Sequence, residues 1–279
     1  MVGSDLKPYL KWAGGKRQLL PEIRKHLPED IQRYTYYEPF VGAGAVFFDL
    51  QPKKAVINDY NTQLILTYQV IKTQCEALIQ ALQEYARNNN KAYYYQIRDL
   101  DRDSRSFQGL SDVEKAARLI FLNKTCYNGL YRVNRRGLFN TPYGNYKNPA
   151  ICEEQVLKRI SAYLNANEVA IMNHDFEAVL SSVQDDSFIY FDPPYHSPQK
   201  TNFTAYQAVG FGEEEQERLR NVFTAAAGLG AKCLLSNGDT LFIRELYKNF
   251  KIQTVQAKRV INADPSRRGL INEVLIKSW

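Results

Sequence analysis

The chain has 279 residues, of which 44% are hydrophobic and 24% charged, a composition typical of globular proteins and not of disordered or fibrous ones. Its four scattered cysteines and three histidines argue against a disulfide framework and against a zinc or histidine-rich metal centre. No apolar stretch has the length of a membrane span and no signal peptide is visible, so we expect a soluble, cytoplasmic protein. The net charge of +6 is compatible with a nucleic-acid partner.

The amino-terminal part of the chain alternates helices with strands. After a predicted helix over residues 17–27, a β-prone run ends at Glu38, a glycine turn follows, and a helix begins near Ala45. A second apolar run begins at Lys54 and ends in Asp59. Strand, glycine-rich loop, helix, strand and acid, in this order, are typical of the opening half of a doubly wound nucleotide-binding sheet.

The loop EPFVGAG is the first candidate ligand site. Gly42 and Gly44 allow a tight turn and a close approach of ligand to backbone, and Asp59 has the position that holds ribose hydroxyls. Phe47 stands where a dinucleotide fingerprint has its third glycine, and no P-loop lysine follows, so a nucleoside is the predicted ligand. The alternative is a glycine turn followed by an acid that merely caps a helix.

The stretch KWAGGK near the amino terminus is a second candidate. Gly14 and Gly15 followed by Lys16 favour a backbone nest for an anion, with Trp12 available to pack against an aromatic ring. A loop that caps the amino terminus and buries a tryptophan is the alternative interpretation.

Residues 62–165 are predicted to be an insertion dominated by helices, over 62–86 and 112–125. Residues 126–149 are rich in Arg, Lys, Asn and Tyr, and their Asn-Gly, Arg-Gly and Pro-Tyr-Gly turns predict a basic hairpin. The sheet pattern resumes after the insertion. It predicts strands over 168–175, 187–191, 231–239, 250–260 and the carboxyl-terminal stretch, and a helix over 213–227. We therefore predict an α/β fold with a mostly parallel, seven-stranded sheet.

FDPPYHSP follows a buried apolar run, and prolines end strands, so Asp192 is predicted at the carboxyl edge of the sheet. A carboxylate and a fixed carbonyl there could each accept one N–H of an amino group on a flat base. The lone pair of that nitrogen would then leave its conjugation with the ring and become available for attack. Pro193 would provide the carbonyl and Tyr195 a stacking face. A strand end followed by an ordinary turn is the alternative.

The motifs KWAGGK, EPFVGAG, NDYN and DPPY, together with the hairpin YNGLYRVNRRGLFNTPYGNYK, resemble those of Dam-type (D12 class, alpha-group) adenine-N6 site-specific DNA methyltransferases over nearly the whole chain. The resemblance implies a Rossmann-like class I methyltransferase sheet with an inserted helical and β-hairpin target-recognition domain. It implies a catalytic domain over 1–61 and 166–279 and a target-recognition domain over 62–165, with its DNA-reading hairpin near 126–149.

The resemblance also implies S-adenosylmethionine as cofactor and duplex DNA as substrate, without a metal. Its implied cofactor-binding residues are Trp12, Lys16, Glu38, Phe40, Gly42, Gly44, Asp59, Asp175, Phe176 and Asp192. Its implied catalytic residues are Asp192, Pro193, Pro194 and Tyr195. Its implied DNA-binding residues are Lys11, Tyr127, Asn128, Leu130, Arg132, Asn134, Asn140, Pro142 and Tyr146, of which Arg132 matches a guanine-reading position. Asn145 departs from the family, since some members carry arginine there.

The hairpin is similar to those that read GATC, and a longer or asymmetric site containing GA is the alternative. Arg135, Arg136 and Lys147 are expected at phosphates, 196–212 as a mobile loop over the target base, and 259–269 as a DNA-facing or merely solvated basic loop. We expect a monomeric, DNA-associated enzyme of bacterial or phage type, with a cognate restriction endonuclease in some genomes. An amino-methyltransferase acting on protein glutamine or RNA, or a DNA-binding module without catalysis, remain alternatives.

Overall fold

The computed structural model describes residues 6–12, 14–197, 211–258 and 270–279. Most of the predicted loop over the target base, residues 196–212, and the whole of the basic loop over 259–269 lie outside the described residues.

The sheet has seven strands in the spatial order β3-β2-β1-β4-β5-β7-β6. The strands are β1 (Thr35–Glu38), β2 (Lys54–Asn58), β3 (Glu168–Met172), β4 (Ser187–Phe191), β5 (Lys232–Gly238), β6 (Lys251–Lys258) and β7 (Leu270–Lys277). The first five in sequence pair in parallel, and β7 runs antiparallel to both of its neighbours. The predicted mostly parallel, seven-stranded α/β sheet is thus confirmed.

Ten α-helices lie in the described parts of the chain. They are α1 (Leu20–Lys25), α2 (Ala45–Leu50), α3 (Thr62–Thr73), α4 (Cys75–Arg87), α5 (Lys91–Asp99), α6 (Ser104–Gly109), α7 (Asp112–Thr125), α8 (Glu154–Ala166), α9 (Glu213–Gly228) and α10 (Leu241–Leu246). Helix α7 has its predicted bounds, because Ser111 and Glu114 form a capping box at its start.

Two helical predictions were inaccurate in detail. The single helix expected over 62–86 is divided at Gln74, whose φ of −138° is not helical, and the following helix α4 packs on α7. The helix expected from Arg17 begins as a short 3-10 turn over Lys16–Gln18, and α1 follows with Pro21 in its first turn. Proline is tolerated there because N–H groups in the first turn have no intrahelical partner.

Helices cover both faces of the sheet, because side chains alternate between its two faces along each strand. On β4, Phe188 and Tyr190 face a cluster built with α2, α3, α4, α7 and α8. Ile189 and Phe191 face a second cluster built with α9 and α10. Helices α3 and α8, at the two ends of the predicted insertion, contact each other and β3. The insertion therefore leaves and rejoins the sheet at neighbouring points.

Residues 126–149, called the hairpin segment below, are less regular than predicted. Two isolated antiparallel bridges, Cys126 with Tyr143 and Val133 with Phe139, are the ladder contacts of this segment. Other backbone groups bond across the segment, as Asn140 N–H does to Arg132 O at 3.0 Å, or to side chains outside it, as Phe139 N–H does to Asp101 Oδ2 at 2.9 Å. Three glycines and two prolines in the 24 residues limit regular pairing, since proline lacks a donor and glycine favours turns.

Candidate active site and hairpin segment

Three acids lie at the ends of adjacent strands. Glu38 ends β1, Asp59 follows β2 and Asp192 follows β4, and β1 pairs in parallel with both other strands. All five residues of β4 are buried, and Pro193 and Pro194, which have no N–H to donate, follow Asp192 directly. The sheet therefore brings the glycine loop and Asp192 to its carboxyl edge, the edge at which open α/β sheets bind ligands.

The half-buried Asp192 carboxylate has two partners on one oxygen. Its Oδ1 lies 2.7 Å from Lys16 Nζ and accepts a hydrogen bond from Ser236 Oγ at 2.9 Å. None of the hydrogen bonds donated by described residues reaches Oδ2. Burial raises the pKa of Asp192, whereas the Lys16 charge and the two hydrogen bonds lower it. Lys16 and Ser236 thus favour the ionised carboxylate and leave one oxygen to accept from a ligand.

Lys16 lies closer to the predicted reacting group than its expected cofactor role suggested. Its side chain is nearly buried, and Nζ donates to Gly14 O at 2.6 Å. The same Nζ lies 4.4 Å from the centroid of the Tyr195 ring, a cation–π distance. Lys16 therefore links the stretch KWAGGK to both Asp192 and Tyr195.

Glu273 is a residue that the sequence reasoning missed. The hydroxyl of Tyr195 donates to its Oε2 at 2.8 Å, and burial raises the pKa of this carboxyl group. Glu273 is 9% exposed and lies on β7, in register with Gly238 of β5. An acid directly before the apolar stretch Val274–Ile276 was the available signal.

The glycine loop between β1 and α2 depends on glycine at both predicted positions. Gly42 and Gly44 have φ of 50° and 74°, values that side chains rarely allow. A Cβ on Gly44 would lie 2.7 Å from Tyr68 Oη, and one on Gly42 would lie 3.0 Å from Trp12 Cδ1. Trp12 thus covers the loop, while Tyr68 Oη donates to Gly42 O at 3.0 Å.

Asp59 holds this loop and does not cap a helix. Its Oδ2 accepts from Gly42 N–H at 3.0 Å and its Oδ1 from Asn61 N–H at 2.9 Å. The cap of α3 is Asn61, whose side chain accepts from Leu64 N–H. Burial raises the pKa of Asp59 to about 6, although the two N–H groups oppose this shift. The capping alternative for Asp59 is therefore wrong.

Glu38 and Trp12 have partners inside the protein. Tyr36 Oη donates to Glu38 Oε2 at 2.7 Å, and burial raises the pKa of Glu38 well above its usual range. The Trp12 ring stacks on Tyr131 of the hairpin segment, with ring centroids 5.2 Å apart. The glycine loop and the hairpin segment thus meet at Trp12.

Asp175 and Phe176 lie beyond the end of β3, beside Phe40. Phe40 and Phe176 stack with centroids 5.3 Å apart, and Phe211 packs edge-on against Phe40. Asp175 caps a 3-10 turn through Glu177 N–H and forms an ion pair with Arg218 of α9. The guanidinium also lies 4.5 Å above the Phe176 ring. Asp175 is therefore shared with Arg218, a partner that the sequence reasoning did not include.

Lys11 and the hairpin segment are joined by Asn123, which is completely buried on α7. The Asn123 side chain accepts from Lys11 N–H at 2.9 Å and donates to Lys11 O at 2.7 Å and to Gly129 O at 3.1 Å. The Lys11 Nζ lies 4.8 Å from the centroid of the Tyr146 ring. Lys11 and Tyr146, both expected at DNA, are therefore neighbours.

Arg132 and Asn140 face each other across the hairpin segment. Arg132 is exposed, and its Nε donates to Asn140 Oδ1 at 2.8 Å. Asn134 lies in the turn of the segment. Its Oδ1 closes this turn by accepting from Arg136 N–H at 2.9 Å and Leu138 N–H at 3.1 Å. The Asn134 oxygen is thus engaged within the turn.

The four other expected DNA-binding residues surround a second turn. Tyr127 is 56% exposed, and its N–H donates to Pro142 O at 2.8 Å. Asn128 is exposed with φ of 56°, and the half-buried Leu130 accepts from Thr141 Oγ1 at 2.7 Å. This surface exposes an aromatic ring, an amide and a proline together, and such groups can contact bases or wedge between them.

The described residues contain no group of acids, histidines and cysteines arranged to hold a metal ion. Among the helices in these same ranges, none combines the length and apolarity of a membrane span.

The chain matches known proteins along nearly its whole length. A family model for D12 class N6 adenine-specific DNA methyltransferases matches residues 12–261. The type II methyltransferase M1.LlaDCHI of Lactococcus lactis subsp. cremoris is 45% identical, over 99% of this chain and 96% of that protein. The type II methyltransferase M.MjaIII of Methanocaldococcus jannaschii is 42% identical, over 99% of this chain and 100% of its own length. The DNA adenine methylase of Escherichia coli K12 is 33% identical, over 96% and 94%.

The matched range includes the glycine loop, the hairpin segment and Asp192. It supports a DNA acceptor and an enzymatic activity over the alternatives of a protein glutamine, an RNA or a purely DNA-binding role. The family also implies a methyl donor as the second substrate. The chain belongs to the D12 class N6 adenine-specific DNA methyltransferases.

Proposed function

We propose that this enzyme transfers the methyl group of S-adenosylmethionine to N6 of an adenine flipped out of duplex DNA, at GATC or another site that contains GA. The observation that carries the proposal is the half-buried Asp192 at the sheet edge, which Lys16 and Ser236 hold through Oδ1 alone. The target adenine is stacked and paired inside the duplex, so its nucleotide must leave the duplex before N6 can reach this edge.

The residues of the glycine loop fit S-adenosylmethionine. Asp59 offers a carboxylate to ribose hydroxyls, and Phe40 and Phe176 offer aromatic surface to the cofactor adenine. Tyr9 Oη is buried without a hydrogen-bond partner among the described residues, and the Asp59 charge contributes to its raised pKa. An unpaired hydroxyl near Asp59 suits a polar ligand group, since buried polar groups are seldom left unsatisfied.

The rest of the implied cofactor set lies around this loop. Glu38, Gly42 and Gly44 shape its backbone, Trp12 covers Gly42, and Asp175 is to accept the cofactor amino group in competition with Arg218. When bound, S-adenosylmethionine supplies an electrophilic methyl group on a sulfonium.

Asp192 and the neighbouring carbonyl orient the target amino group. Oδ2 of Asp192 accepts one N–H of adenine N6 and the carbonyl of Pro193 accepts the other, so the nitrogen lone pair leaves conjugation with the ring. The negative carboxylate then stabilises the positive charge that develops on nitrogen. Asp192 need not take the proton first, because the methylated, positively charged nitrogen is acidic and releases its proton to water. Tyr195, braced by Glu273, stacks on the base.

The hairpin segment is to read the site. Arg132, held by Asn140, can donate two hydrogen bonds to a guanine in the major groove, and Lys11 can read another base beside the cofactor site. Tyr127, Asn128, Leu130 and Pro142 would contact or wedge the bases. The hairpin's similarity to GATC-reading enzymes supports that site. Two type II methyltransferase relatives support a partnership with a restriction endonuclease, and we propose that a monomer acts on DNA.

The first test is tritium transfer from labelled S-adenosylmethionine to two duplexes that differ only in GATC against GTTC. Label on the GATC duplex alone is the expected result and supports both the acceptor base and the core of the site. Equal label on both duplexes would contradict the site. Label on neither, with cofactor binding measured separately, would contradict GATC and point to a longer recognition sequence.

A further inference from the structure

Two carboxamide side chains lie under the segment 192–196, called the DPPYH segment below. Gln216 is on α9 and Asn237 is on β5, and both are completely buried. They touch each other, since Asn237 Nδ2 donates to Gln216 Oε1 at 2.9 Å. Neither residue belongs to a motif that the sequence reasoning singled out.

Each carboxamide also holds the backbone of the DPPYH segment. Gln216 Nε2 donates to Pro194 O at 2.9 Å. Asn237 Oδ1 accepts from His196 N–H at 2.9 Å and from Gly238 N–H at 2.8 Å. The two contacts on the segment therefore lie on either side of Tyr195. Gln216 thus engages the carbonyl of Pro194, and the carbonyl of Pro193 is the one proposed to accept from the substrate.

The packing around this pair leaves little freedom. A Cβ on Gly238 would lie 2.7 Å from His196 O, so β5 approaches the DPPYH segment as closely as glycine permits. The His196 ring is fixed in turn by Thr240 Oγ1 at 2.9 Å and by Phe242, at 4.8 Å between ring centroids. The segment is thus held by polar contacts from α9, from β5 and from the turn that follows β5.

A pair of buried carboxamides is an unusual choice if packing alone matters. Both residues lie beside an apolar cluster that includes Leu219, Val222 and Leu235, and an aliphatic pair would bury no polar atoms there. One hydrogen bond joins the two carboxamides to each other. Two more join them to the backbone of Pro194 and His196, the residues on either side of Tyr195. The hydrogen bonds from the pair to the DPPYH segment therefore account for its polarity.

We propose that Gln216 and Asn237 are positioning residues for methyl transfer, which fix the Pro193 carbonyl and the Tyr195 ring relative to Asp192. The inference rests on the proposed role of Asp192 and its neighbours as the reacting segment. The carboxamides touch neither substrate. They act by keeping two acceptors and one aromatic face in the geometry that the adenine amino group needs.

The central variant is Gln216→Met, which keeps the length of the side chain and removes its donor and acceptor. We expect kcat for a cognate duplex to fall about 10- to 100-fold, as for a small misplacement of reacting groups. The Kd for S-adenosylhomocysteine and for the duplex should change less than about twofold. Val222→Ala is the matched control, because Val222 is buried on the same helix and has no polar group. It should retain kcat at a comparable loss of thermal stability.

Gln216→Glu supplies a readout that a merely structural role would not change. The carboxyl group introduced by this substitution can, when protonated, donate its O–H to Pro194 O and accept from Asn237, whereas its ionised form can only repel that carbonyl. Burial favours the protonated form. The kcat of Gln216→Glu relative to Gln216→Met should therefore rise as pH falls from 8 to 6. Both variants contain His196, Glu213 and Asp192, so the ratio isolates the effect of the introduced carboxyl group.

Two results would overturn the inference. One is a kcat of Gln216→Met within twofold of the wild-type value, and the other is an equal loss in Val222→Ala at equal thermal stability. Asp192→Ala keeps this outcome separate from the proposed function. If Asp192→Ala is inactive while Gln216→Met is normal, only the positioning role fails. If Asp192→Ala retains wild-type turnover, the proposed reacting segment itself is wrong.

Discussion

The DPPYH segment and the hairpin segment are both irregular backbone, and the protein holds them by different means. The DPPYH segment extends directly from a buried strand, and neutral carboxamides on α9 and β5 hold its backbone. The hairpin segment has two isolated bridges, and charged side chains hold its returning half. Phe139 N–H donates to Asp101 Oδ2 at 2.9 Å, and Arg102 donates to Phe139 O at 2.5 Å.

The support of the hairpin segment leads to a buried ion pair. Arg118 of α7 is 1% exposed and lies 2.9 Å from the same Asp101 oxygen. It also donates to Ile97 O and Arg98 O, so two backbone carbonyls share its charge with Asp101. Asp101 therefore joins the helical insertion to the residue directly before Asn140, the partner of Arg132.

The difference fits the roles proposed for the two segments. The reacting groups need one fixed geometry, which short neutral bonds to a strand and a helix provide at little electrostatic cost. The proposed role of the hairpin segment is to read DNA, which requires exposed donors on its surface and favours a backbone that no regular sheet covers. Charged side chains hold this backbone instead, because hydrogen bonds to charged groups are strong and a few of them suffice.

The largest expected effect is the loss of turnover in Asp192→Ala, a change in the DPPYH segment. Removing the acceptor that is proposed to stabilise charge in the transition state should lower turnover by at least about 10³-fold. Cofactor binding should largely survive, because Asp192 is expected to act on the target base. Tritium transfer and calorimetric titration would measure the two quantities. Asp186→Ala, an exposed acid directly before β4, is the control, and turnover of Asp192→Ala near that of Asp186→Ala would contradict the mechanism.

Asp101→Asn should test the support of the hairpin segment. The amide oxygen can still accept from Phe139, but Arg118 loses its buried counter-charge, so unfolding free energy should fall by about 1.5–3 kcal/mol. Urea denaturation measures this change. Asp99→Asn removes an exposed acid that pairs with Arg98 and Arg102, and it should cost less than about 1 kcal/mol. Equal losses in the two variants would show that burial of the pair is unimportant.

Arg132→Ala should reduce discrimination at one base pair by about 1–3 kcal/mol, because the guanidinium is the expected donor to guanine. Competition between duplexes substituted at each position of the site would measure the change. Arg136→Ala is the matched control, since an expected phosphate contact should weaken binding to all duplexes alike. An Arg132→Ala enzyme with unchanged preference at every position would remove this residue from the readout.

The elements that the sequence predicted well are those that local chemistry determines. The apolar run Phe188–Phe191 followed by two prolines places Asp192 at a strand end without knowledge of the rest of the chain. Ser111 and Glu114 mark the start of α7 in the same local way. Asp59 and the two glycines form a pattern whose spacing alone indicates a loop beside an acid.

The contacts that the sequence did not predict join distant residues. Tyr195 and Glu273, or Asp101 and Phe139, become neighbours only when strands and helices have packed, and no local pattern encodes such pairs. The signals that existed were polar residues at apolar positions, such as Arg118 within the buried face of α7. The irregular hairpin was also beyond prediction, because turn residues indicate where a chain bends and not how many bridges it forms.

The smallest expected effect is a pH dependence at the glycine loop. Burial raises the pKa of Asp59 to about 6, and ribose hydroxyls are best held by its ionised form. The ionised fraction falls from about nine-tenths at pH 7 to about one-tenth at pH 5, so the Kd for S-adenosylhomocysteine should rise about tenfold over this range. Calorimetric titration measures it, with Asp59→Ala as a control whose weaker binding should not vary with pH. A wild-type Kd that is constant from pH 5 to 7 would contradict the role of Asp59.

The stability of the ligand-free protein should change with the ionisation of Asp59 in the opposite direction to cofactor affinity. In the unfolded chain Asp59 has its ordinary pKa near 4, so between about pH 4 and 6 the folded state binds more protons than the unfolded state. The contribution of Asp59 to stability is therefore lost as pH rises through this window, while cofactor affinity is gained. Thermal unfolding with and without S-adenosylhomocysteine separates the two. The ligand-induced increase in Tm should grow from pH 5 to 7 in the wild type and stay constant in Asp59→Ala, which would assign the coupling to this carboxyl group.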